Sequence, residues 1–235
     1  MGSWGGMVSS AKRRLSGARR LLGEVVRFKR PPMESAFLAY YHKKLSSKSE
    51  SLSGPGSSLI QTSVMRRELP LLVRELNVRS LLDAPCGDFH WMSNTPLDLD
   101  HYIGVDIVGE LIAQNQAKYG NSSRQFLHLD ITEAELPKVD LVLCRDCLVH
   151  LSSHSILRAI RNFKRSGSTY LLTTTFPGRE ENWDIVTGDW RPLNLEAAPF
   201  CLGKPLKLIN EGDTELGGAF SDKSLGLWWV GEIRL

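Results

Sequence analysis

Apolar positions along the chain fall into two patterns that alternate: short apolar-rich runs, and longer stretches that repeat every three or four residues. The runs lie at Ser80–Asp83, Tyr102–Asp106, Gln125–Asp130, Val139–Cys144, Ser168–Phe176, Leu206–Glu211 and Leu225–Ile233. Runs of this length between turn residues read as strands, and the most continuously apolar of them, Val139–Cys144, as one buried on both faces. The periodic stretches read as helices. Met33–Leu45 carries Phe37, Leu38, Tyr40 and Tyr41; a second helix, capped by Thr62 or Ser63, turns Val64, Leu69, Leu72, Val73 and Leu76 inward; Val108–Tyr119 is a third; Ser152–Lys164 buries Ile156, Leu157, Ile160 and Phe163. Pro70 either kinks the second helix or separates two short ones. Strands alternating with helices predict an α/β fold with a doubly wound sheet.

In such a sheet ligands sit outside the carboxyl ends of the strands, and this chain concentrates its acids there. Ser80-Leu81-Leu82-Asp83 ends in a carboxylate, and Ala84-Pro85-Cys86-Gly87 makes a tight turn of small residues that lets backbone approach a ligand. The next run ends in Asp106, an acid placed to take two ribose hydroxyls. A dinucleotide site would need further glycines for a pyrophosphate, but Gly87 is followed by Asp88 with no other glycine before His90. A ligand with a ribose and no phosphate suits the turn better.

The pattern apolar-apolar-Asp-x-x-x-Gly followed by strand-Asp resembles motifs I and II of the class I S-adenosylmethionine (SAM) methyltransferases, whose commonest form has glycines where Pro85 and Phe89 stand here. Ser53-Gly54-Pro55-Gly56-Ser57, then Thr62-x-x-x-Arg66, Leu69-Pro70 and SLLDAPCGDFHWM are together similar to a group of methyltransferase-domain proteins, from about Ser53 to the carboxyl terminus. The resemblance implies a Rossmann-like seven-stranded sheet, mostly parallel with a closing antiparallel strand, SAM as cofactor and SAM-dependent methyl transfer. It implies cofactor contacts from Asp83, Pro85, Cys86 and Gly87 in the first motif, from Asp106 and Ile107 in the second, and from Asp130 with the backbone of Ile131 at the adenine.

Around these motifs stand further candidates. The Ser53-Gly54 segment suits a flap over the cofactor. Arg66 is a bidentate partner for the cofactor's carboxylate, and Arg145 a cation on the same rim. Asp146 and His150 lie four apart beyond the fourth strand, where an imidazole near a carboxylate can accept a proton at neutral pH. Residues 177–204 form an insertion too long for a plain connection, and its Trp183, Trp190 and Arg191 are candidates for binding an acceptor.

Composition changes this picture little. At 235 residues, 42% apolar and 23% charged, the chain has ordinary globular composition, and its net charge of +3 resides mainly in the first thirty or so residues, where Lys and Arg face a single acid, Glu24. Residues 1–32 therefore read as a flexible basic arm, residues 33–61 as a helix with the Gly-Pro-Gly flap, and residues 62–235 as the SAM-binding domain. The arm is open to three fates: a solvated tail, a peripheral membrane contact, or an organellar import segment in place of a cytoplasmic location. The rest of the chain is near neutral and offers no surface for nucleic acid. Four cysteines show no disulfide framework, and Cys144-x-x-Cys147, without a second ligand pair, reads as two small buried residues rather than a metal site. Two function classes follow: an enzyme methylating an oxygen or nitrogen of a small-molecule, sugar or lipid-linked acceptor, and a non-catalytic module that binds SAM.

Overall fold

The computed structural model describes residues 33–47 and 49–234, so the basic arm lies outside the described residues. Its elements run Met33–Leu45 (α1), Ser63–Glu75 (α2), Ser80–Asp83 (β1), His90–Ser93 (α3), His101–Asp106 (β2), Gly109–Tyr119 (α4), Arg124–His128 (β3), Leu141–Cys144 (β4), Ser153–Arg165 (α5), Tyr170–Thr175 (β5), Lys207–Asn210 (β6) and Ser224–Trp229 (β7). The strands form one sheet in the order β3-β2-β1-β4-β5-β7-β6. All neighbours from β3 to β5 are parallel, and β7 pairs antiparallel with both β5 and β6.

The pleat sorts the core into two layers. Leu82, Val105, Val142 and Leu171 point to one face, where Ile156, Ala159, Ile160 and Phe163 of α5 cover them. Leu81, Leu141, Leu143 and Leu172 point to the other, against Met65, Leu69, Leu72 and Val73 of α2. Burial on both faces is why the central runs are continuously apolar. Ser152 caps α5 through its Oγ, which accepts from Ser155 N at 3.3 Å. At α2 the cap position is Thr62, but its hydroxyl donates back to Ser58 O at 2.8 Å. Pro70 lies inside a single unbroken α2. No helix among the described residues is long and apolar enough to cross a membrane.

The fold is closed at its antiparallel end by buried charge. Arg145, just past β4, directs Nε and Nη2 to Glu211 Oε2 at 3.1 and 2.6 Å, and its Nη1 lies 3.2 Å from Asp146 Oδ2. Lys223, just before β7, donates to Asp146 Oδ2 at 2.8 Å and lies 3.7 Å from Glu211 and 3.6 Å from Asp213. Burial opposes ionisation of Asp146, but Arg145 and Lys223 overcome it and hold its carboxyl down at about 2. Two buried cations thus stand among three carboxylates, of which Glu211 and Asp213 are buried and Asp146 is partly exposed.

Removing one partner of such a cluster leaves uncompensated buried charge, which costs about 3–5 kcal/mol. Lys223→Ala should therefore lose stability of that order, read as a lower urea midpoint with an unchanged slope at pH 7. An unmoved midpoint would mean that water already neutralises the group.

Candidate active site

The carboxyl ends of β1 to β4 open onto one cavity. The turn after β1 is stitched between its neighbours: Ala84 N donates to Leu143 O on β4 and Cys86 N to Val105 O on β2, both at 2.8 Å. Asn115 of α4 then donates Nδ2 to Gly87 O at 2.7 Å. Gly87 has φ +52°, and a Cβ there would come within 2.1 Å of Ser53 Oγ, so only glycine admits the segment that lies over it.

Asp106 ends β2 with each oxygen on a backbone N–H. Its Oδ2 accepts from Gly87 N at 3.2 Å and its Oδ1 from Val108 N at 3.0 Å. These use two of roughly four acceptor sites on a carboxylate. Burial pushes Asp106 up to about 6 in spite of the two N–H groups. Burial pushes the neighbouring Asp83 further, to about 7, against the Tyr102 hydroxyl that donates to its Oδ2 at 2.5 Å. Added hydroxyl donors at Asp106 would favour its charged form.

The segment around Ser53 is a strap clasped by Asp88. The Asp88 carboxylate accepts from Leu52 N at 2.7 Å, Ser51 Oγ at 3.0 Å and Ser53 Oγ at 3.2 Å. Its own N–H donates to Ser53 Oγ at 3.0 Å. At the far end Arg145 Nη2 donates to Gly56 O at 3.0 Å, which ties the strap to the buried ion cluster. Glu50 adds a third tie, accepting from Leu59 N at 2.9 Å with His90 Nε2 at 3.0 Å. In the sequence Asp88 shows only as the residue after Gly87; the serines ahead of it, which need an acceptor, were the available signal.

Most predicted site residues meet at this cavity. Ser53, Asp83, Pro85, Cys86, Gly87 and Asp106 line it, as do Ile107, Asp130, Ile131, Arg145, Asp146 and His150. Gly54 stands beside Tyr40, where an added Cβ would meet the phenol oxygen at 2.8 Å. Arg66 lies off the cavity and gives Nη2 to Leu59 O at 2.9 Å, tying the strap to α2. Trp183 and Trp190 lie on the surface outside the cavity, 54% and 42% exposed. Arg191 is fully buried, donating Nε to Trp183 O at 2.7 Å and Nη1 to Val149 O at 3.2 Å. Met33, Ala36, Phe37 and Tyr40 of α1 also line the cavity.

His150 and Asp146 share the cavity without a mutual hydrogen bond, because the Asp146 carboxylate is taken by Lys223 and Arg145. The partner of His150 Nδ1 is instead the backbone carbonyl of Asp189, at 2.9 Å. A carbonyl only accepts, so Nδ1 carries the proton and Nε2 the lone pair. Burial lowers the His150 pKa below its ordinary 6.5, so the ring is neutral at pH 7.

Residues 82–171 match the methyltransferase-domain family. Comparison with curated proteins gives no match. Among solved structures, the chain is similar to the 1,6-didemethyltoxoflavin-N1-methyltransferase of Burkholderia thailandensis, with a TM-score of 0.58 at 14% identity over 83% of this chain and 85% of that one. A SAM-dependent methyltransferase from Clostridium acetobutylicum gives 0.52 at 12% over 70% and 90%, and the methyltransferase domain of a bacterial Hen1 protein gives 0.54 at 12% over 73% and 98%. At such identities these likenesses carry the fold. SAM suits the residues present: the glycine turn leaves a cradle that a Cβ would fill, and Asp106 keeps acceptor capacity for a diol. Residues 82–171 thus carry a methyltransferase domain, set in a seven-stranded sheet whose strand-end acids line one cavity.

Proposed function

We propose that the chain methylates a protic oxygen or nitrogen of a small-molecule, sugar or lipid-linked acceptor, with His150 receiving the acceptor's proton. The observation that carries this reading is the hydrogen bond from His150 Nδ1 to Asp189 O, which leaves Nε2 as a proton acceptor on the cavity wall. When bound, SAM supplies a methyl carbon on a positively charged sulfur, which an acceptor lone pair attacks in line. The protein's main work is then to hold the two reactants aligned, which supplies about 7–11 kcal/mol of the barrier.

In this reading Asp106 takes the ribose hydroxyls, the turn of Asp83, Pro85, Cys86 and Gly87 cradles the amino acid end, and Asp130 with Ile131 faces the adenine beside Ile107. Arg145 acts through the strap, because its nitrogens are already committed to Glu211, Asp146 and Gly56 O. Asp88 is a positioning residue that keeps Ser53 over the cradle.

Three outcomes test these roles. Asp106→Ala should weaken S-adenosylhomocysteine (SAH) binding by well over tenfold in titration calorimetry with the fold intact, since a charged hydrogen bond is worth about 1.5–3 kcal/mol. Asp88→Ala should also weaken SAH and, unlike a change elsewhere in the core, open the chain to protease between residues 50 and 59; a strap as resistant as in wild type would leave Asp88 without this role. For His150, a lowered pKa means the proton arrives only on the acid side of 6.5, so methyl transfer should stay level through pH 7 and fall below that value. His150→Gln should reduce the rate by about 10²–10⁴-fold and remove the acid limb while sparing SAH affinity. An acid limb that survives the substitution belongs to another group.

A further inference from the structure

Within the cavity, one stretch of wall is supplied by a single face of α1. Met33, Ala36, Phe37 and Tyr40 recur at i, i+3, i+4 and i+7, so they form one stripe on α1, and all four line the cavity. Three of them are only half-buried and Tyr40 is exposed, although Met33 and Phe37 also pack in part against the core. Leu151 and Gly188 line the same cavity, and a Cβ on Gly188 would approach Ala36 Cβ to 3.3 Å, so the 177–204 loop and α1 touch there and close one end. His150, the proposed proton acceptor, lines the same cavity.

The charges decide what can lie against the stripe. Arg145 is the only Lys or Arg among the described residues lining the cavity, and every nitrogen of its guanidinium is engaged by Glu211, Asp146 or Gly56 O. Asp83, Asp106, Asp130 and Asp146 line the cavity as well, so an anionic acceptor would find acids and no available cation. An aliphatic amine would arrive as a second cation beside the cofactor's positive sulfur. An imidazole with a lone pair at Nε2 instead suits a neutral group that starts with a proton to give.

Resting on the methyl-transfer reading above, we infer that the acceptor is an uncharged, largely apolar hydroxyl compound whose body lies along the Met33-Ala36-Phe37-Tyr40 stripe with its hydroxyl at His150 Nε2. The wall that selects the acceptor is α1, and the tryptophans of the 177–204 loop stand outside it.

The test uses the full chain saturated with SAH and three matched probes: 2-naphthol, 6-hydroxy-2-naphthoate and 2-naphthylmethylammonium. In titration calorimetry, 2-naphthol should bind at least tenfold more tightly than either charged probe. Phe37→Ala and Met33→Ala should each weaken 2-naphthol by about tenfold while SAH affinity stays within twofold; should Phe37→Ala lower the melting temperature, Met33→Ala decides. Equal or tighter binding of a charged probe overturns the inference, as does the absence of 2-naphthol binding or its indifference to both α1 substitutions. A wild-type chain that fails to bind SAH removes the methyl-transfer reading itself, and this inference with it.

Discussion

A guanidinium as deeply buried as that of Arg145 is tolerable only where its charge is matched, and the matching dictates much of the architecture around the cleft. Its partners come from distant parts of the chain: Glu211 from the end of β6, Lys223 from the start of β7 by way of Asp146, and Gly56 from the strap. The closing hairpin is therefore more than the last pair of strands on a sheet. It holds Arg145 in place, and Arg145 in turn fixes one end of the strap across the cradle. Trp91 completes the enclosure, with the guanidinium carbon 5.6 Å from its ring centre.

The opposite end of the strap depends on an acid of another kind. Asp88 is surrounded by N–H and hydroxyl donors and works as a clasp, whereas Asp83 and Asp106, at the ends of β1 and β2, are buried with fewer donors and pushed up to about 7 and about 6. Chemically identical side chains thus do different work because burial and hydrogen bonding differ. Burial in the cradle raises the Asp106 pKa; donors supplied by a diol would lower it again, so cofactor binding and proton release from this site are linked.

Most of the fold was legible because its signals are periodic. Short apolar-rich runs located all seven strands, with boundaries differing by a few residues at the ends, and the 3-4 spacing of Ile156, Ile160 and Phe163 located α5 with its Ser152 cap. The cradle was legible because strand-end acids and a small-residue turn stand close together in sequence. What the sequence hid were contacts between segments far apart in it. Asp88 reads only as the neighbour of Gly87 until Ser51 and Ser53 are seen above it, and Asp146 four residues before His150 suggests a pair, although its carboxylate faces Lys223, a residue 77 positions away. Arg66 has the residue type for a carboxylate partner, but whether a helix face meets a ligand or a loop carbonyl is a tertiary matter.

The 177–204 loop shows how length can point to function for one reason while the structure supplies another. Its polar groups are largely spent on itself and on the core: Asn182 bonds Asn194 O and Ala198 O, Asn194 bonds Arg179 O, and Asp184 accepts from Ser153 N at the start of α5. Arg191, buried without a carboxylate partner, is held by two backbone carbonyls, while Trp190 packs 4.7 Å from Phe220. These contacts make the loop a built scaffold rather than a free lid, and what it brings to the cavity is chiefly backbone. Gly188 N donates to His150 O at 2.9 Å, and Asp189 O accepts from His150 Nδ1. A carbonyl that fixes an imidazole tautomer has no side-chain signature, so no motif could have announced it. Because that carbonyl sets which ring nitrogen keeps a lone pair, the loop's bearing on the proposed chemistry runs through His150, and the tryptophans on its outer surface need make no contact with the acceptor.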